Sequence, residues 1–461
     1  MAKQKQELSL DELLEQALVP EAEQPYKVPE NWVWTRLGDI TSVIGGGTPS
    51  SRVNEYYENG SIPWISPVDL SGYTNIYISH GKKNITELGL KKSSARIMPS
   101  GTVLLSSRAP IGYVAIAENV LSTNQGFKNF LPSVAYLPKY LYFYLKYSKV
   151  LLESYASGTT FLELSASKVS LVEIPLSPLV EQQRIVDRIE SLFAKLDQAK
   201  KLVQNTLDFF ANRKAAILHK AFSGELTANW RIEHGIGIDS WKEKKLGKLI
   251  GNGPQNGLYK PRSAYGSGCL IVRIDNFYDG HIHPWRTLKK LNIEEAEINL
   301  YSLKNNDILI NRVNSINYLG KSALVRNIEE PAVFESNVMR ITLNNDVNAE
   351  YIIKYLNSNM GLAELRKNAK HAVNQASINQ TDVKNTLIQI PSPDEQKEIV
   401  RILDCILENE EKAKEMINVL GKINLIKKSI LARAFRGELG TNDPSEENAR
   451  TLLKKVLQEK K

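Results

Sequence analysis

The sequence predicts an α+β chain of two tandem globules. Each is followed by a long helix, and the two helices pair as an antiparallel coiled coil. Three observations lead there. Two blocks of residues recur, in the same order, at a separation of about 213 residues. The segment after each globule carries apolar residues at a 3.5-residue period. The stretches between mix strand-like and helix-like patterns with many Gly, Asn and Ser turns.

The repeat comes first, because missing it would misassign the whole chain. Ile174-Pro175-Leu176-Ser177-Pro178-Leu179-Val180-Glu181-Gln182-Gln183-Arg184-Ile185-Val186 returns as Ile390-Pro391-Ser392-Pro393-Asp394-Glu395-Gln396-Lys397-Glu398-Ile399-Val400. Ala221-Phe222-Ser223-Gly224-Glu225-Leu226 returns as Ala434-Phe435-Arg436-Gly437-Glu438-Leu439. Upstream, Trp32 with Leu37-Gly38 echoes Trp241 with Leu246-Gly247, and the Gly45–Pro49 loop is matched to Gly251-Asn252-Gly253-Pro254. So long a period means two copies of a whole module.

Each helical segment starts at a proline, Pro178 or Pro393, with Glu181 or Glu395 in the first turn, where a carboxylate suits the helix dipole. The first seam is Ile185, Ile189, Leu192, Leu196, Ala199, Val203, Thr206, Phe210 and Ile217, with Arg213 in the one skipped place. The second is Ile399, Leu403, Ile406, Glu410, Ala413, Ile417, Leu420, Ile423, Ile426 and Ile430, with a phase shift near Leu420. Gly224 and Gly437 end the helices. A helix of about 44 residues makes a rod of roughly 65 Å. Two such rods cover each other's seams by pairing antiparallel, which holds the globules apart. The alternative, each rod folded onto its own globule, calls for a wider apolar stripe.

The expected limits are an N-terminal docking extension over 1–29, a first globule over 30–177 and its rod over 178–226. A linker over 227–240, a second globule over 241–392, its rod over 393–439 and a basic tail over 440–461 complete the chain. Strands are expected at 102–107, 111–117, 307–311 and 332–334, and helices at 138–151 and 349–367. A capped amphipathic helix starts at Ser9, and another lies in the tail. Both serve docking or are disordered.

Lys and Arg number 59 against 51 Asp and Glu, a net charge of +8. The surplus sits in the globules: 13 basic and 10 acidic residues over 30–173, and 20 and 14 over 240–389. That permits a polyanionic partner without establishing one. Two cysteines, Cys269 and Cys405, exclude a disulfide framework and a Cys-based zinc site. The start carries no signal-peptide core and no run is long enough to span a membrane, so a cytoplasmic location is expected.

Catalytic constellations are missing. Gly320-Lys321-Ser322 lacks the partner glycine of a phosphate loop, since Ser315 stands there. Pro393-Asp394-Glu395-Gln396-Lys397 resembles a nuclease fragment but reads better as a helix start. His281-Ile282-His283 has no supporting ligand and reads as a surface turn.

The arrangement resembles the specificity subunit of Type I restriction–modification systems. The carriers are the Ile-Pro…Glu-Gln…Ile-Val blocks, the Ala-Phe-x-Gly-Glu-Leu blocks, and Ser157-Gly158-Thr159-Thr160-Phe161 before the first rod. The resemblance covers essentially the whole chain. It implies that each globule is a target recognition domain reading one half of a split double-stranded DNA target. The paired rods would set the unread spacer and dock two methyltransferase subunits, which methylate adenine with S-adenosylmethionine. Restriction subunits driven by ATP, with Mg2+, would join for cleavage. The chain itself would bind no cofactor and catalyse nothing. Lys370-His371-Ala372-Val373-Asn374-Gln375 stands where the first half has Gly158-Thr159-Thr160, so the two contacts differ and the target is expected to be asymmetric.

For base reading, polar loop residues able to form paired hydrogen bonds are favoured. In the first globule these are Thr48, Ser50, Arg52, Ser106, Ser107, Arg108, Asn124, Gln125 and Thr159. In the second they are Asn256, Lys260, Arg262, Arg273, Asn311, Arg312, Asn314, Asn337, Asn374 and Gln375. Lys82, Lys83 and Lys260 are expected on phosphates.

Overall fold

The computed structural model describes residues 9–108, 110–157, 162–415 and 420–460. The chain divides into two compact units, Met1–Lys201 with Val419–Lys461, and Leu202–Asn418. Each holds one globule, the start of the rod that follows it and the end of the other rod.

In the first unit, strands Val33–Arg36 and Glu173–Leu176 pair antiparallel and bring the beginning and end of the globule together. Between them lie a five-stranded sheet and a four-stranded sheet. The expected strands are present as Val103–Ser106 and Val114–Ala117, both fully buried and adjacent in the five-stranded sheet. In the second unit, Lys242–Lys245 pairs with Leu387–Ile390 in the same way. Asp307–Asn311 is central in a four-stranded sheet, and Ala332–Phe334 is an outer strand of a three-stranded one. Each expected helix is broken in two, as Pro138–Tyr147 with Lys149–Tyr155, and as Ala349–Leu356 with Asn359–Arg366.

These helices carry a repeat the sequence reading overlooked. Tyr140 and Tyr144 donate their hydroxyls to the carbonyls of Pro175 and Glu173. Tyr351 and Tyr355 donate to those of Gln389 and Leu387, at 2.7 and 2.8 Å. Each pair clamps the strand that leads into a rod. Each pair also grips the end of the other rod. Phe435 packs against Tyr140, Tyr144 and Tyr147 with ring centroids 5.3, 5.1 and 5.7 Å apart. Phe222 packs against Tyr351 and Tyr355 at 5.5 and 5.2 Å.

The first rod is one helix, Leu179–Phe222, and the second is described as Pro393–Glu415 and Leu420–Phe435. They run antiparallel. In the first unit Arg184 reaches Thr441 O and Glu446, while Asp197 reaches back to Lys427 at 2.6 Å. In the second unit Leu218 and Phe222 share a core with Ile399 and Leu403. The rods end as expected, with Gly224 at φ +83° and Gly437 at φ +74°, a left-handed conformation that glycine adopts without strain.

The seam needs two corrections. Its outer parts are globule core: Ile185 and Ile189 are fully buried in the first, Ile399 and Leu403 in the second. Leu192, Leu196, Val203, Phe210, Ile406 and Ile430 are half-buried. Ile417 and the side chains of Glu410 and Leu420 lie outside the described residues. The phase also slips. Thr206 and Arg213 are exposed, and Leu207 and Lys214 turn inward. Ile426 is likewise exposed and Lys427 takes the seam, with Nζ 4.9 Å from the Phe193 ring. Lys214 and Lys427 are equivalent in the repeat. A lysine stem is apolar enough for a seam when its ammonium finds a carboxylate, here Asp197 for Lys427, whereas Lys214 pairs with Asp279 of the second globule.

The terminal segments form helices packed on the first unit's own core. Leu10–Ala17 has the expected capping box, with Ser9 and Glu12 exchanging hydrogen bonds. It lies against Ala449–Lys460, where Lys454 pairs with Asp11 at 2.7 Å and Arg450 with Glu15. Leu14, Ala17, Leu453 and Val456 are buried there.

Candidate nucleic-acid interface

The sequence motif that opens each rod is an interlock. Glu181, fully buried, accepts from Trp32 Nε1 at 2.7 Å and Asn442 Nδ2 at 2.8 Å. Glu395, also fully buried, accepts from Thr227 Oγ1 at 2.7 Å, Arg231 at 2.6 Å and Trp241 Nε1 at 3.1 Å. Each carboxylate thus ties its rod to the tryptophan that opens its own globule and to the segment after the other rod. Glu395 stands in the first turn of its helix, as expected. Ser392 Oγ caps the helix by accepting from Glu395 N, and Lys397 pairs with Asp394 on the surface.

On this frame each globule builds the same ladder of loops. In the first, Gly46 N–H donates to Phe127 O and Gly47 N–H to Thr123 O. A Cβ on Gly46 would sit 2.0 Å from Asn124 O, which is why glycine stands there. Ser107 N–H donates to Gly126 O, Ser107 O accepts from Leu164, Arg108 bridges Glu163, and Glu163 bridges Ser157. In the second, Gly257 N–H donates to Val338 O and Leu258 N–H to Phe334 O. Arg312 N–H donates to Asn337 O, and Arg312 O accepts from Ile378. Val313 then pairs with Ser377, and Ser377 with Lys370. Bond for bond, Gly46 corresponds to Gly257, Ser106 to Asn311, Ser107 to Arg312, Arg108 to Val313, Gly126 to Asn337, and the Ser157–Glu163 bridge to the Lys370–Ser377 pair. The glycine loop therefore matches Gly257, and the match to 251–254 is corrected. Those residues lie within the strand Ile250–Asn256, where shared Gly and Pro letters misled the alignment.

The candidate readers fall unevenly on this frame. Thr48, Ser50, Arg52 and Gln125 are exposed, and Asn124 is half-buried with its Oδ1 closing the turn onto Gly126 N. Ser106 and Ser107 are fully buried. Ser106 Oγ bonds Pro110 O and Tyr113 N, and Ser107 Oγ bonds Gly126 O and Lys128 Nζ. They hold the turns that present Arg108, which is exposed and paired with Glu163 at 3.1 Å. Thr159 lies outside the described residues. The sequence reading missed Glu163 and Lys128, whose ammonium is pushed below its ordinary pKa by burial.

In the second globule Asn256, Arg262, Asn374 and Gln375 are exposed. Arg312, Asn314 and Asn337 are half-buried and share one ladder with Asn374 and Gln375. Arg273 joins them through Glu335, at 3.3 Å. Asn311 is buried beneath. Lys260 turns away to Glu297 at 2.8 Å and holds that carboxyl below its usual range. Lys82 and Lys83 are exposed, with no ion pair among the described residues.

His281 and His283 line a cleft of about 600 Å³ with Arg326. Burial first, then Arg326, push the His281 pKa down. Among the described residues no cluster of three or more His, Cys, Asp or Glu could hold a metal ion. Lys321, the lysine of the failed phosphate-loop motif, lies 3.6 Å from the centre of the Tyr278 ring. No described helix is long and apolar enough to cross a membrane.

Two similar globules, each followed by a long helix, define a tandem-repeat architecture. The chain belongs to the Type I restriction modification DNA specificity domain family, which matches residues 29–205 and 271–420. The MjaIX specificity subunit of Methanocaldococcus jannaschii is 36% identical over 301 residues, 60% of this chain and 66% of that one. The StySPI specificity subunit of Salmonella potsdam is 28% identical over 90% of each chain. The EcoKI specificity subunit of Escherichia coli K12 is 26% identical over 94% of this chain and 96% of that one. Among solved structures, a chain from a study of assembly and conformational transition in the type I R-M system matches with TM-score 0.66 at 20% identity, over 90% of this chain and all of that one. The HsdS subunit from Thermoanaerobacter tengcongensis matches with TM-score 0.56 at 20% identity, over 91% and 100%. At that identity the likeness is one of fold.

Proposed function

We propose that each globule reads one half of a bipartite, asymmetric DNA target and that the paired rods set the unread gap. The same rods dock two methyltransferase subunits, and restriction subunits join that assembly. The chain performs no catalysis; S-adenosylmethionine, ATP and Mg2+ are used by its partners. The expected division at 30–177 and 241–392 serves as the limits of the two reading heads. One observation carries this reading. The two globules share a hydrogen-bonded loop frame, yet the side chains at matching places differ: Ser107 against Arg312, Arg108 against Val313, Gly126 against Asn337. A common scaffold with unlike side chains suits two heads that read unlike bases.

Binding through phosphates releases counterions, so affinity must fall steeply with salt. Fluorescence anisotropy of the chain with its methyltransferase on target DNA should show a loss of about a thousandfold or more between roughly 50 and 200 mM salt. A flat response would overturn the reading in favour of a coiled-coil scaffold for other ligands. Turnover of DNA by the chain alone, with Mg2+ and S-adenosylmethionine, would overturn the division of labour.

The rods offer a second test. Glutamates in place of Leu196 and Phe210 put charge into the half-buried seam. Assembly with the methyltransferase, followed by size-exclusion chromatography, should be abolished while limited proteolysis shows both globules intact. Retained assembly would count against the seam as the assembly element.

A further inference from the structure

In the second globule the ladder ends in a hairpin. Strands Lys370–Ala372 and Gln375–Ser377 pair through a two-residue turn, Val373-Asn374, with Asn374 at φ +63°. Its root is anchored: Ala376 and Ile378 are buried in the second core, and Ser377 pairs with Val313. Beyond the root, all six residues from Lys370 to Gln375 are exposed, and Val373 is 90% exposed at the tip. Val373 is an apolar side chain held out at a two-residue turn, between Lys370 and His371 on one side and Asn374 and Gln375 on the other, and buries almost nothing in its own globule.

We propose that this hairpin enters the major groove as a two-stranded ribbon and specifies part of the second half-site. Val373 meets a thymine methyl, Asn374 and Gln375 read the neighbouring base pair, and Lys370 faces phosphate. The major groove, about 12 Å wide, admits a two-stranded ribbon. Asn and Gln form paired hydrogen bonds with adenine, and the thymine methyl takes an apolar contact. The side-chain chemistry therefore points to A·T pairs. This assignment rests on the DNA-reading role proposed above and adds to it a reading element, its groove and its base class.

The test uses the complex with methyltransferase and a duplex library randomised in the second half-site. Asn374→Gly with Gln375→Ala should reduce discrimination by about tenfold or more at one or two adjacent positions, leaving the first half-site as selective as before. Deoxyuridine in place of the contacted thymine removes only a methyl group. It should slow methylation about fourfold with the native chain and have no effect with Val373→Gly. These residues are exposed, so the variants keep the core. Unchanged selectivity in all variants would overturn the hairpin assignment while leaving the DNA-reading role in place. Weakened assembly with unchanged base preference in the complex that still forms would assign the hairpin to a protein contact instead. A native complex with no base preference in either half would overturn both.

Discussion

Glu395→Ala is expected to destabilise the second unit by about 3–5 kcal/mol, the cost of breaking a buried ion pair from one side. The carboxylate is fully buried and faces an Arg231 side chain that is 9% exposed. Arg231 donates its other amine to Gly224 O at 2.6 Å, so the guanidinium cannot swing out to water without releasing the end of the first rod. Removing the carboxylate also strands Thr227 Oγ1 and Trp241 Nε1 as donors. Urea denaturation followed by tryptophan fluorescence would measure the loss, because Trp241 sits in the site. Replacing Glu395 and Arg231 together by leucines should cost much less than Glu395→Ala alone, since no charge is then left unpaired. A loss below about 1 kcal/mol for Glu395→Ala would mean the interlock is not holding the unit together. Glu181 is the control: Trp32, Asn442 and Thr441, which donate to it, are neutral, so Glu181→Ala leaves no buried cation behind.

Phe435→Ala should cost the first unit a similar 3–5 kcal/mol, from a fully buried ring that leaves a cavity. The neighbours have little freedom to collapse. Tyr140 and Tyr144 are fixed by hydrogen bonds to the strand entering the first rod, and Tyr147 stacks on Phe435. The cavity would therefore persist, and the second rod would lose the anchor that joins its end to the first globule. Phe435→Leu keeps most of the volume and should cost clearly less. Thermal melts monitored through Trp32 and Trp34, both buried in this unit, would rank the variants. Equal stability of the native chain and Phe435→Ala would contradict the reciprocal anchoring of rods and globules.

Much of this architecture was legible because its devices occur twice. Glu181 and Glu395, Phe222 and Phe435, and Gly224 and Gly437 stand in recognisable words, and each word proved to be one joint of the frame. The seam was legible in period but not in phase. A search for apolar letters passes over Lys427, whose stem enters the seam where Asp197 receives its charge. The tyrosine clamps were within reach, since Tyr140 and Tyr144 recur as Tyr351 and Tyr355, but bulky residues in a short helix read as ordinary core.

The reading surface was less legible. Ser106, Ser107 and Asn311 have the chemistry of base readers, yet each follows a central strand into the interior, and burial depends on pairing that no local pattern reveals. Lys260 has the chemistry of a phosphate contact, and its pairing with Glu297 is brought about by the fold and by no local pattern. Val373 drew no attention because an apolar letter carries no sign of exposure.

Mapping methylated adenines across a genome that carries this chain with its methyltransferase tests the central claim most directly. Two unlike half-sites separated by a constant run of unread bases are the predicted result. A single continuous motif, or two identical half-sites, would contradict two reading heads with different side chains on one frame.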